Sequence, residues 1–359
     1  MVSKRALQRL SLLTLVVLLV TACGGARSSG FTTCKIAFLL PEKKTARYET
    51  QDLPNFKNRL RELGLTEESL IYNNANQDAT AQQQQAEAAL TNGAKVLVLD
   101  PVDSDAAGKI ADLAKSQGVP VIAYDRMVKG SSGVSYYISF ENEEVGKLQG
   151  TALLAALGGR TFPTVVMLHG SLTDNNSLLY KQGALSVLKN KVNIVREYDT
   201  PEWNADDAQK EMEQSLTALN GQVDGVYAAN DGLASGAIAA MKAAGITPLP
   251  PVTGQDAELA AIQRILLGEQ YMTVYKAIRP EAETAAELAY ALCVGDKPNE
   301  SKVNYLVNND QRDVPAILLK PVSVNKDNIK DTVIADRFWS ADQICTAEIK
   351  PYCDAAGIR

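Results

Sequence analysis

The chain has 359 residues, 46% of them hydrophobic and 22% charged, with 36 Lys and Arg against 42 Asp and Glu. That length exceeds one small core and suits two α/β lobes, while the composition excludes an intrinsically disordered chain. A formal net charge of -6 without a basic run argues against a nucleic-acid partner.

Lys4, Arg5 and Arg9 form a positive n-region, and residues 10–20 are an apolar stretch too short to span a bilayer comfortably. Together they predict a secretory signal peptide over 1–22. Its end, Val20-Thr21-Ala22-Cys23, resembles a bacterial lipobox, which implies cleavage before Cys23 and a lipid on its thiol. Residues 23–32, rich in Gly and Ser, read as a flexible tether between that anchor and a folded body.

From Cys34 onward apolar strands alternate with amphipathic helices, the grammar of parallel βαβ units. Strands are predicted over 35–40, 70–72, 96–99 and 121–123, with helices ending near Gly64 and spanning 79–90 and 103–117. The glutamines at 82–85 read as a solvated face. A short strand over 136–139 ends on Phe140, Glu141 and Asn142, and the pattern then restarts. Helices are predicted over 143–157, 177–188, 206–219, 231–241 and 258–267, with strands over 164–168, 193–198, 225–228, 252–253 and 271–275. The expected fold class is therefore α/β: two similar lobes, each a parallel-sheet α/β sandwich, joined by crossing hinge strands. Residues 33–141 with 277–312 would form the first lobe, 142–276 with 313–340 the second, and 341–359 a C-terminal extension.

Ligands of open α/β sheets sit just beyond the carboxyl ends of the strands. Polar residues recur there: Arg47, Tyr48, Asp125, Arg126, Asn176, Trp203, Asn230, Asp256 and Lys276. Any one has an ordinary explanation; Asp125 and Arg126 alone could be an exposed ion pair, and Asp231 reads as a helix N-cap. Nine on one edge are harder to dismiss as loop residues. Asn, Asp, Arg and Lys supply fixed donors and acceptors, while Tyr48 and Trp203 supply flat apolar faces. A sugar ring has the matching properties, hydroxyls on its rim and C–H groups on its faces. The charged members sum to +1, so no strongly charged ligand is demanded.

The five cysteines are Cys23, Cys34, Cys293, Cys345 and Cys353. With Cys23 lipidated, four remain in an oxidising compartment, and two disulfides have three connectivities. Proximity favours Cys345 with Cys353. Cys34 begins the first strand and Cys293 ends a helix, both away from the site, which favours their pairing. No spacing suits zinc, and the single His169 cannot complete such a site, so neither metal nor cofactor is expected.

The segments VLVLDPVD, VIAYDRM, YYISFENEEVGKLQG, TDNN, AAND, TGQDAELAAIQRI, MTVYKAI and DNIKDTVI run in order through most of 34–337. They resemble the periplasmic sugar-binding proteins of ABC transporters with the ribose-type (type 1) fold, and among them the D-xylose-binding type. The resemblance implies that the sugar contacts fall on the same nine residues: Arg47, Tyr48, Asp125, Arg126, Asn176, Trp203, Asn230, Asp256 and Lys276. It implies a monosaccharide ligand, an ABC permease as partner, a monomer, and an extracytoplasmic location on the membrane through the lipid. Tyr48 departs from the tryptophan of the xylose-binding type, and the cysteine-bearing tail after Asp336 has no counterpart there. Two other classes compete. Asp125 and Asp256 could act as acid and base in glycoside hydrolysis, but neighbouring Arg and Lys should lower their pKa values, which suits binding better. Nucleophile elbow, P-loop and dinucleotide fingerprint are all missing. A sensor presenting a sugar to a chemoreceptor or kinase would use the same lobes.

Overall fold

A computed structural model describes residues 34–358, so the expected signal peptide, Cys23 and the tether lie outside the described residues. Short apolar runs become β1 (Ile36–Leu40), β2 (Leu70–Asn74), β3 (Val96–Leu99), β4 (Val121–Tyr124) and β5 (Val134–Phe140), which pair in parallel. The connections carry α1 (Leu53–Glu62), α2 (Ala79–Thr91) and α3 (Gly108–Ser116). Strands buried on both faces need no polar alternation. In β1, Ala37 and Leu39 pack toward α2 and α3, whereas Ile36, Phe38 and Leu40 pack toward α1.

The chain then leaves this sheet at Phe140 and enters α4 (Asn142–Ala156). A second parallel sheet is built from β6 (Thr164–His169), β7 (Asn193–Asp199) and β8 (Gly225–Ala228), in the order β7-β6-β8. It is flanked by α4, α5 (Asn175–Leu188), α6 (Ala205–Ala218) and α7 (Asp231–Ala243). Val252 bridges to Val226, and after α8 (Leu259–Leu267) comes β9 (Thr273–Tyr275). The backbone of Tyr271 and Val274 bonds to Val252 and Gly254, so β9 extends this sheet through the 252–254 segment.

The chain returns through α9 (Ile278–Val294), whose Ala282, Ala285, Ala286 and Ala289 cover the same sheet face as α1. β10 (Tyr305–Asn308) and β11 (Asp313–Leu319) complete the first sheet, in the order β10-β11-β5-β4-β3-β1-β2. Here the lobe boundaries expected from sequence need correction. β11 is parallel to β5, with Ala316 opposite Tyr137, so 313–319 belongs to the first lobe. The chain crosses back only after Leu319, into β12 (Val322–Val324), antiparallel to β9. β11 belongs there because its Val314 and Ala316 join the α2–α3 side of the first core. The Glu141 amide donates to the Leu319 carbonyl at 2.9 Å, tying two of the three crossovers together.

Beyond β12, α10 (Ala341–Ile344) and α11 (Lys350–Ala355) fold back on α8, with Ile344, Ile349, Cys353 and Ile358 against Ile262, Ile265 and Leu266. Disulfides join Cys34 to Cys293 and Cys345 to Cys353. Among the described residues no helix is long and apolar enough to cross a membrane, and no group of three metal-ligating side chains is present.

Two local expectations change. Gln82 is not on a solvated face: it is 1% exposed, donates to the Asp100 carbonyl and accepts from the Val102 amide, bracing the loop after β3. Asp231 is not the cap of α7. Asn230 is, its Oδ1 accepting from the Leu233 amide at 2.9 Å, while Asp231 is buried and accepts from Gln270 and Thr273.

Candidate ligand-binding site

The carboxyl ends of both parallel sheets face each other across one small cavity. All nine residues singled out in the sequence line it: Arg47, Tyr48, Asp125, Arg126, Asn176, Trp203, Asn230, Asp256 and Lys276. Four further lining residues escaped the sequence reading: Thr45, Asp174, Tyr180 and Gln255.

β1 runs into a π-helical turn over Tyr48–Asp52, and that wide turn points Arg47 and Tyr48 inward. Arg47 is fixed by Asp52, through Nε at 3.0 Å and Nη2 at 2.6 Å, and by Glu281 of α9 at 2.8 Å. Its Nη1 has no hydrogen-bond partner and lies 3.3 Å from Asp125 Oδ1. Tyr48 donates to Asp125 Oδ2 at 3.0 Å, and the guanidinium groups of Arg47 and Arg126 lie 5.3 and 5.8 Å from its ring centre.

Asp125 follows β4 with φ of 52°, a left-handed backbone that non-glycine residues rarely adopt. Its carbonyl accepts three donors: Ser139 Oγ at 2.6 Å, Tyr137 OH at 3.1 Å, and Asn176 Nδ2 at 3.0 Å from the other lobe. Burial alone would raise its carboxyl pKa. Arg47, Lys276, Arg126 and the Tyr48 hydroxyl outweigh that and hold it at about 2. Arg126 is ion-paired to Asp174 at 3.1 Å, across the lobes, and donates to the Pro101 carbonyl braced by Gln82.

In the second lobe, Asp174 caps α5 by accepting from the Asn176 amide, and its other oxygen accepts from the Trp203 indole at 3.2 Å. An Asp before a helix is explained by capping alone, which is why its second role left no sequence signal. Burial raises the Asp174 pKa, with Arg126 opposing. Trp203 is 5% exposed, and its six-membered ring lies so close to Gly170 that any side chain there would collide with it. Trp203 and Asp256 also have left-handed backbone, with φ of 56° and 93°. Lys276 leaves β9 and pairs with Asp256 Oδ1 at 3.0 Å; Phe140 and Tyr180 present their rings at 5.6 and 5.9 Å.

Two properties of this lining matter chemically. Its charges balance, with Arg47, Arg126 and Lys276 against Asp125, Asp174 and Asp256. Several buried polar atoms there make no well-aligned hydrogen bond: Arg47 Nη1, Asp125 Oδ1, Arg126 Nε and Asp256 Oδ1 meet an opposite charge only as an ion pair, and Gln255 Oε1 meets no donor. Buried polar atoms are normally satisfied, so such a set is suited to a neutral, polyhydroxylated guest. Away from the pocket, His169 is fully buried between Glu197 and Tyr227, and burial lowers its pKa to about 4.

Residues 36–297 match the model of the periplasmic binding protein domain. The chain is 38% identical over 315 residues to the D-xylose-binding periplasmic protein of Escherichia coli K12, covering 86% of this chain and 92% of that one. It is 35% identical over 339 residues to the D-xylose-binding periplasmic protein of Haemophilus influenzae, covering 93% and 98%. The structure superimposes on an ABC transporter solute-binding protein from Clostridium phytofermentans with bound β-D-glucose. That match has a TM-score of 0.79 and 28% identity, covering 86% of this chain and 99% of the other. With its motif order, paired sheets, crossovers and cavity all in agreement, the chain belongs to the periplasmic binding protein family.

Proposed function

We propose that this protein captures a monosaccharide, xylose or a similar aldose, between its two lobes and delivers it to an ABC permease. The observation that carries the reading is the charge-balanced cavity, walled by both lobes and lined by an indole and by ion-paired polar groups whose hydrogen-bonding capacity is not filled. Arg47, Tyr48, Asp125 and Arg126 would bind the sugar from the first lobe. Asn176, Trp203, Asn230 and Asp256 would bind it from the second, with Lys276 at the crossover. Trp203 offers a flat face to the C–H groups, while the carboxylates and cations meet the hydroxyls. The D-xylose-binding relatives and the glucose-bound neighbour support this ligand class.

A ligand that touches both lobes favours their closed arrangement, and a permease would read that arrangement. Binding without turnover agrees with Asp125, a poor proton donor when held at about 2. The mature protein would be a monomer held at the outer face of the membrane by lipid on Cys23. A thermal-shift and calorimetric panel of pentoses and hexoses on the mature protein tests the reading. Saturable binding of one or more aldoses is expected; no shift with any sugar, or turnover of a glycoside, would reject it.

A further inference from the structure

The loop that carries Asp256 is built from two consecutive left-handed residues, Asp256 at φ 93° and Ala257 at φ 50°, neither a glycine. Such backbone persists only where the surroundings hold it. The Asp256 amide donates to the Val274 carbonyl at 2.9 Å, and the Ala257 amide to Thr273 Oγ1 at 3.2 Å. The Glu258 amide donates to Asp231 Oδ2 at 2.9 Å, and a further tie comes from outside the lobe's own sheet. Trp339, in the cysteine-bearing tail, donates its indole N–H to the Ala257 carbonyl at 2.7 Å.

The same stretch of tail is gripped from several sides. Arg279, in the first turn of α9, donates to the Asp336 carbonyl at 2.7 Å, and Gln51, three residues after Tyr48, reaches the Phe338 carbonyl at 3.4 Å. Phe338 packs edge-on against Tyr275, the residue before Lys276. C-terminal to it, a capping box at Ser340 and Gln343 starts α10, and Gln263 of α8 donates to the Ile344 carbonyl at 3.1 Å. The disulfide between Cys345 and Cys353 then closes the segment.

From this geometry we infer that Trp339 is a positioning residue: through the Ala257 carbonyl it fixes the Asp256 carboxylate for sugar. The tail is thus a strap between the crossover and the site loop. The inference rests on the sugar-binding reading, and Trp339→Phe tests it because an aromatic ring is kept at the position while the N–H is lost. Hydrogen–deuterium exchange of the sugar-free full mature chain should speed up by about tenfold at residues 254–258 and stay unchanged in the sheets of both lobes. The Kd for D-xylose should rise about fivefold, the effect of losing one hydrogen bond. In an Asp256→Asn background the same substitution should change Kd by less than about twofold, because the group it positions is already altered.

Unchanged exchange at 254–258 would overturn the inference. So would exchange that rises throughout the second lobe, which would mark a structural role only, or an affinity effect that adds fully to that of Asp256→Asn. Failure of the sugar reading looks different. In that case neither D-xylose nor D-glucose binds the unaltered chain, while exchange still reports whether Trp339 holds the loop.

Discussion

Three of the nine lining residues picked out in the sequence, Asp125, Trp203 and Asp256, have left-handed backbone that costs on the order of 1–3 kcal/mol each. A fold keeps such geometry where a side chain has to be aimed. Truncating one of the aimed groups, by Trp203→Ala or Asp256→Ala, should therefore weaken sugar binding at least tenfold, about 1.4 kcal/mol by titration calorimetry. Wild-type affinity in both folded variants would reject the site. Asp125 makes a separate prediction about pH. Its folded pKa of about 2 lies below the ordinary 3.8, so its stabilising contribution is fully present above pH 4 and is lost as pH falls through 2. Denaturant titrations should find the wild-type advantage over Asp125→Asn shrinking by about 2 kcal/mol between those limits. A constant difference would refute the ion-pair account of Asp125.

α4 and α5 cross closely because both have glycine at the contact. A Cβ at Gly146 would strike the Tyr180 carbonyl, and one at Gly183 would strike the Glu143 carbonyl. This packing matters to the site because α5 begins with the Asp174 cap and delivers Asn176, while α4 begins at Asn142, which donates to Asn176 Oδ1 at 2.8 Å. Gly183→Ala should cost about 1–3 kcal/mol of unfolding free energy and also lower sugar affinity. Unaltered thermal stability would mean that the helices can separate without consequence. Strands such as β3 and β4 were legible as unbroken apolar runs because both sheet faces are covered. Residues 313–319, expected in the second lobe, instead form β11 of the first, since an apolar run does not say which sheet it joins.

The disulfide from Cys34 to Cys293 spans 259 residues of sequence, and the whole second sheet lies inside that loop. Replacing both cysteines with serine should lower stability by about 2–5 kcal/mol while leaving the cavity residues in place, readable as a drop in Tm with Kd little changed. The lobes also touch beyond the cavity: the Ser104 amide donates to the Thr173 carbonyl at 2.9 Å, and Lys44 pairs with Glu202 at 2.6 Å. A sugar enclosed this way can enter only when the lobes part. Small-angle scattering should therefore find a larger radius of gyration without sugar than with it, and identical curves would argue against hinge closure. The proposed lipid on Cys23 predicts that Cys23→Ala moves the protein from the membrane fraction to the soluble one.

Periodicity and strand-end chemistry, read along the chain, were enough for the α/β class, the doubled βα grammar and nine residues of the cavity lining. These are local properties: burial on two faces demands apolar runs, and a strand end is where a parallel sheet leaves polar side chains free. Tertiary structure alone decided which groups act together. Asp52 and Glu281 are 229 residues apart in sequence yet both hold Arg47, and Trp339 reaches a carbonyl 82 residues away. The Asp174 carboxylate becomes part of the lining only when the second lobe meets Arg126 of the first. Charge pairing in a buried cavity depends on distances through space, and a sequence specifies those only by folding.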